Sequence, residues 1–81
     1  MSILPSQCRA ARALVDMDQA ELARRAVVSR DAIVDFENGG RAPLAKSLAA
    51  IRAALEATGV IFIDENGEGP GVRLRKKRGR R

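Results

Sequence analysis

Apolar residues recur along this chain at helical spacing to about residue 58, then switch to a strand-like pattern. The first predicted helix opens near Pro5, since proline suits the first helical position, and runs to about Val15. Cys8, Ala11, Leu14 and Val15 lie near one face of it. A second helix spans roughly 19–26, with Asp18 at the N-cap position and Glu21 three residues on, a capping-box pattern. Leu22, Ala23 and Ala26 share its apolar face. A third spans roughly 30–37 behind a second N-cap candidate, Ser29. Ile33 and Phe36 mark its buried side, which turns Arg30, Asp31, Val34, Asp35 and Asn38 outward. Gly39-Gly40 stops it. The fourth helix is expected to open at Pro43 and reach Thr58, with Leu44, Leu48, Ile51 and Leu55 as a core-facing stripe.

Beyond Gly59 the run Val60-Ile61-Phe62-Ile63 reads as a strand, DENGEGPG as turn chemistry, and Val72-Arg73-Leu74-Arg75 as a half-exposed strand. Together they predict a β-hairpin. An isolated hairpin is marginal in water, so it must pack on the helices or join another chain. The expected arrangement is a homodimer in which edge strands pair and Val60, Ile61, Phe62 and Ile63 fill the interface.

Composition narrows the chemistry. The chain has 81 residues, enough for one domain, and lacks histidine. Histidine-based acid–base catalysis and histidine–metal sites are therefore excluded, and the single cysteine, Cys8, builds neither a zinc site nor an internal disulfide. Cys8 is expected to be buried in the first helix, in a reducing cytoplasm. No nucleophile–base pair, no paired carboxylates on an evident cleft and no phosphate-cradling loop is evident, so neither an enzyme nor a cofactor is expected. No apolar run approaches the roughly 20 residues that span a bilayer, and the N-terminus lacks a secretory pattern. The expectation is a cytoplasmic protein without a membrane partner.

Charge is uneven. Of the fifteen basic residues, seven fall in RLRKKRGRR at positions 73–81, leaving residues 1–72 with eight bases against ten acids. The tail reads either as a phosphate-binding arm or as a solubilising disordered end.

The segment QAELARRAVVSRDAIVDFEN resembles the phage-repressor-like (Cro/repressor, or XRE-type) helix-turn-helix family. Gln19 opens the first of the two helices, Ala23 is the small residue at their crossing, and Val28 and Ser29 follow the turn. Ile33 and Phe36 are core positions, and Glu37-Asn38-Gly39 closes the unit. The resemblance covers about residues 8–58 and departs at two points. Val27 stands where a turn glycine is usual, and a β-branched residue with positive φ is strained. Asp16 replaces another common glycine, a milder change.

The resemblance implies a four-helix repressor-like bundle, and with the hairpin read from the residues beyond Gly59 the expected fold is mainly α: that bundle followed by a short C-terminal β-hairpin. The expected division is a helix-turn-helix DNA-binding domain at 1–59, a hairpin at 60–75 as dimerisation element, and a basic disordered tail at 76–81. The resemblance also implies that the third helix enters a major groove of double-stranded DNA. Arg30 would pair with guanine O6 and N7, or else contact a phosphate or solvent. Asp31 and Asp35 would accept from cytosine N4, or else orient an arginine or support the helix start. Val34 would touch a thymine methyl or pack against the fourth helix. Gln19, Ser29, Asn38, Arg41, Arg73 and Arg75 are expected on the DNA backbone. Arg12 and Glu37 are expected to form a structural ion pair that orients the third helix.

The function these features imply is sequence-specific transcriptional regulation by a homodimer on a palindromic operator, with autoregulation suggested by the brevity of the chain. The rival is an antitoxin-like or anti-activator module that sequesters another regulatory protein. The acidic pair on the third helix and the near-neutral globular part favour that rival.

Overall fold

The computed structural model describes residues 2–76. Within them the order is α1 (Pro5–Leu14), α2 (Gln19–Ala26), α3 (Arg30–Glu37), α4 (Ala45–Glu56), β1 (Val60–Ile63) and β2 (Gly71–Leu74). Each of the first three helices starts on a polar group that satisfies its free N–H groups. Gln7 Oε1 reaches back to the Leu4 N–H at 2.8 Å, Asp18 Oδ1 accepts from Glu21 N–H at 2.8 Å, and Ser29 Oγ accepts from Ala32 N–H at 3.1 Å.

The same three helices end in one motif. A residue in the left-handed region follows the helix, and the next N–H returns to a carbonyl five residues back. Met17 N–H donates to Arg12 O at 2.9 Å, Val28 N–H to Ala23 O at 3.0 Å, and Gly40 N–H to Asp35 O at 2.8 Å. The left-handed residues are Asp16 (φ 54°), Val27 (φ 58°) and Gly39 (φ 80°). Only Gly39 adopts this conformation freely. Val27 is 88% exposed, so its side chain gains almost nothing from packing in return for the strain. A left-handed L-residue costs roughly 1–2 kcal/mol, whereas glycine adds about 0.5–1 kcal/mol of unfolded-state entropy. Val27→Gly is therefore expected to stabilise the fold by up to about 1 kcal/mol, raising Tm by no more than roughly 4–8 °C in a thermal melt.

The core is built where the helices cross. Leu22, Ala23 and Ala26 of α2 meet Ile33 and Phe36 of α3 and Leu48, Ile51 and Leu55 of α4, with Cys8 and Ala11 of α1 closing the cluster. Two expected core residues lie outside it. Leu44 is 75% exposed because α4 begins after it: its backbone is extended (φ −57°, ψ 153°), not helical. α4 also stops at Glu56, two residues before the expected Thr58, whose Oγ bonds the Leu55 carbonyl at 2.6 Å. Leu14, in the last turn of α1, is exposed as well.

β1 and β2 pair antiparallel, with Val60 opposite Leu74 and Phe62 opposite Val72. The hairpin packs on the helices: Gln7 Nε2 donates to Gly71 O at 3.0 Å and Ile63 O at 3.3 Å, and the Arg52 guanidinium lies 5.3 Å from the Phe62 ring centre. Val60 and Phe62 belong to this chain's own core. Of the four residues expected at a dimer interface, only Ile61 and Ile63 lie half-buried on the opposite face.

Candidate nucleic-acid interface

The outer face of α3 carries the candidate reading residues. Arg30, Asp31, Asp35 and Asn38 are exposed and Val34 is half-buried, while Ile33, Phe36 and Glu37 point inward. Helical spacing produces this division, because residues three and four apart share a face. The Arg30 side chain makes no hydrogen bond or ion pair with the described residues, so its guanidinium is available.

Behind that face lies a buried polar cluster centred on Glu37, whose side chain is 1% exposed. Arg12, on α1, grips the carboxylate with two donors: Nε at 2.7 Å from Oε2 and Nη2 at 2.6 Å from Oε1. This fork geometry is the strong form of the arginine–carboxylate pair. Cys8 Sγ donates to Oε2 at 3.0 Å and Gln19 Nε2 to Oε1 at 3.0 Å. Arg12 Nη1 also holds the Met17 carbonyl at 3.0 Å, and Arg9 bonds the Glu37 carbonyl. One carboxylate thus joins the end of α3 to α1 and to the start of α2. The roles of Cys8 and Gln19 in this cluster are not visible in the local sequence.

Titration follows from these contacts. Burial alone would raise the Glu37 pKa, but hydrogen bonds from Arg12, Cys8 and Gln19 and the charge of Arg12 outweigh it, and the carboxyl titrates below its ordinary value. Burial, reinforced by the hydrogen bond to Glu37, pushes the Cys8 thiol well up. A depressed carboxyl contributes stability that is complete above its unfolded pKa of about 4.3 and is lost as pH falls through the folded value. A raised thiol contributes stability that is complete below about 8.5 and is lost as pH rises past it. Melting temperature is therefore expected to hold level between about pH 5 and 8 and to fall on both sides. In a pH series of melts, Glu37→Gln should flatten the acid limb and Cys8→Ser the alkaline one.

Past the helix end, Asp35 has a structural duty. Its Oδ2 accepts from the Arg41 N–H at 3.2 Å, and its backbone carbonyl accepts from Gly40. Gly40 has ordinary φ, yet a Cβ there would sit 2.4 Å from Asp35 Oδ1 and 3.0 Å from Asp35 O. The second glycine of the pair is needed for close approach. Gly40→Ala is expected to destabilise by roughly 1–2 kcal/mol in denaturant titrations, the lower range for overpacking, because the carboxylate can swing away.

The remaining candidates surround this face. Gln19 stands at the start of α2 in a shallow polar cleft lined by Arg12, Asp18, Ala20 and Arg30. One of its amide hydrogens is committed to Glu37, which leaves the other for an outside acceptor. Ser29 is exposed and its hydroxyl caps α3. Arg41 is exposed in the loop after α3, and Arg24 and Arg25 pair with Glu21 on α2. Arg73 and Arg75 are exposed on and just after β2, while the tail at 77–81 lies outside the described residues.

No helix among the described residues is long and apolar enough to cross a membrane. No curated protein matches the chain. Residues 9–60, well over half of the sequence and spanning α2, the turn, α3 and α4, match the helix-turn-helix family. This chain belongs to the helix-turn-helix family in its Cro/repressor-like, XRE-type form, a family of DNA-binding transcription regulators.

Proposed function

We propose that the protein is a sequence-specific regulator that binds a palindromic operator as a homodimer and controls its own expression. The observation that carries this reading is the outer face of α3, where four exposed polar side chains sit over a rigid buried cluster. Arg30, Asp31, Val34 and Asp35 are placed to meet base edges, with arginine selecting guanine and carboxylates selecting the cytosine amino group. Gln19, Ser29, Asn38, Arg41, Arg73 and Arg75 hold the phosphates and so fix register. A second copy joined through the hairpin presents a second α3, and two half-sites lie about one helical turn apart. Control comes through concentration and operator arrangement, in a protein that occupies the cytoplasm and the nucleoid.

The acidic pair Asp31 and Asp35 favours one alternative, capture of another regulatory protein on the same face. A gel-shift series against genomic fragments separates the two. Sequence-specific retention that disappears in Arg30→Ala supports the regulator. Retention that is non-specific and depends only on the basic C-terminus contradicts it and favours the protein-capture reading.

A further inference from the structure

We infer that Asp35 acts on DNA through the loop after α3: its carboxylate clasps Gly40 and Arg41 and so sets the Arg41 guanidinium against a phosphate. The inference rests on the DNA-binding reading above and narrows the base-facing set named there to Arg30, Asp31 and Val34. Three contacts tie Asp35 to the loop. Its Oδ2 accepts from the Arg41 N–H at 3.2 Å, and its carbonyl accepts from the Gly40 N–H at 2.8 Å. Its Oδ1 lies over Gly40, so close that a Cβ there would collide with it. Both carboxylate oxygens are thus turned to residues 40 and 41. Asp31, one turn earlier on the same helix, differs: it is exposed and its carboxylate bonds none of the described residues.

Little else holds this loop. Residues 41–44 lie between the end motif of α3 and the start of α4 with no regular structure of their own. Pro43 has no N–H. Among the described residues, the Arg41 N–H is the only backbone donor of these four that finds an acceptor, and that acceptor is Asp35. The Arg41 side chain is exposed and makes no hydrogen bond or ion pair with the described residues. Its position therefore follows from the backbone that carries it. Ordering a loop at the moment of binding costs free energy, so a loop already fixed in the free protein gives the tighter complex.

Charge agrees with a clasp. Asp35 lies in the last turn of α3, which holds no basic residue, so its carboxylate faces the negative end of the helix dipole. Phosphates beside the same face repel it as well. Two effects thus oppose an acid at this position. A charge-assisted hydrogen bond from a backbone N–H offsets them, and the Arg41 N–H supplies one.

The test compares Asp35→Asn with Asp35→Ala in the full chain. Both remove the charge, so repulsion from phosphate falls alike in the two. Only asparagine keeps an oxygen for the Arg41 N–H. In the free protein, exchange of the Arg41 amide, followed by NMR, should be about two- to tenfold faster in the alanine variant, the worth of one neutral hydrogen bond. Two duplexes of equal length then serve as DNA probes, one from upstream of the gene and one unrelated. Asp35→Asn should bind both about two- to tenfold more tightly than Asp35→Ala. That advantage should vanish when Arg41→Ala is added to each variant. Equal amide exchange in the two variants overturns the clasp. An asparagine advantage that is absent, that is confined to one duplex or that survives Arg41→Ala overturns the route through Arg41. A wild type that binds neither duplex overturns the DNA-binding reading itself, and the amide comparison then decides the clasp alone.

Discussion

Arg12→Ala is expected to destabilise the protein by roughly 3–5 kcal/mol, the range for breaking a buried ion pair from one side. The asymmetry of the pair is the reason. Arg12 is 19% exposed and the Glu37 side chain 1%, so the arginine retains some contact with water while the carboxylate has almost none. Removing the guanidinium leaves a carboxylate facing only a thiol and an amide. At about 4–8 °C per kcal/mol for a domain of this size, Tm should fall by at least about 12 °C. The carboxyl should then titrate higher than in the wild type, since burial acts without its main opponent. Removing both charges is a different experiment. Arg12→Met with Glu37→Leu fills the space without stranding a charge, and should lie within about 1 kcal/mol of wild type or above it. Urea titrations of the two variants check both statements. A double variant as stable as wild type but weaker on DNA would show that the pair serves the orientation of α3 more than the stability of the fold.

Arg30→Ala is expected to lower specific DNA affinity by about 1–3 kcal/mol, or roughly five- to 150-fold. Stability should change little, because Arg30 is exposed and its side chain bonds none of the described residues. The loss should fall on one base pair of each half-site: the variant should bind the wild-type operator and an operator changed at that guanine equally well. Arg41→Ala supplies the contrast. A phosphate contact carries no sequence information, so its loss should weaken all fragments alike and lower the salt slope by about one. Equal salt slopes for Arg30→Ala and wild type, with unequal base preference, would assign the two arginines to their separate roles.

Much of the fold was legible because its signals are local. Asp18 and Ser29 announce their helices by side-chain chemistry alone, and Gly39 announces an end. The left-handed strain at Val27 also follows from sequence, since the position after α2 demands positive φ whatever residue stands there. Leu44 shows the limit. It continues the helical period of Leu48, Ile51 and Leu55, but periodicity does not say where a helix starts, and α4 begins one residue too late to bury it. The strand Val60–Ile63 shows another limit. Its uniform apolarity cannot distinguish a face turned to its own helices from one turned to a second subunit, and two of its four side chains were needed for the core.

The candidate site divides in the same way. The outward set Arg30, Asp31, Val34, Asp35 and Asn38 follows from helical geometry. Asp35's hold on the following loop does not, because it depends on how the chain folds back after α3. The adjacent Gly39-Gly40 was the available signal: one glycine suffices for the turn, so the second implies a close approach. Cys8 and Gln19 converge on Glu37 across 29 and 18 residues, and no local pattern reveals such a meeting.

In this reading the outer face of α3 meets base edges. Hydroxyl-radical footprinting of the region upstream of the gene, with wild-type protein and Arg30→Ala side by side, tests it most directly. Two protected patches are expected on one face of the duplex, about one helical turn apart, both faded in the variant at the same concentration. Protection without preferred position, or a wild-type footprint that Arg30→Ala reproduces in full, would contradict it.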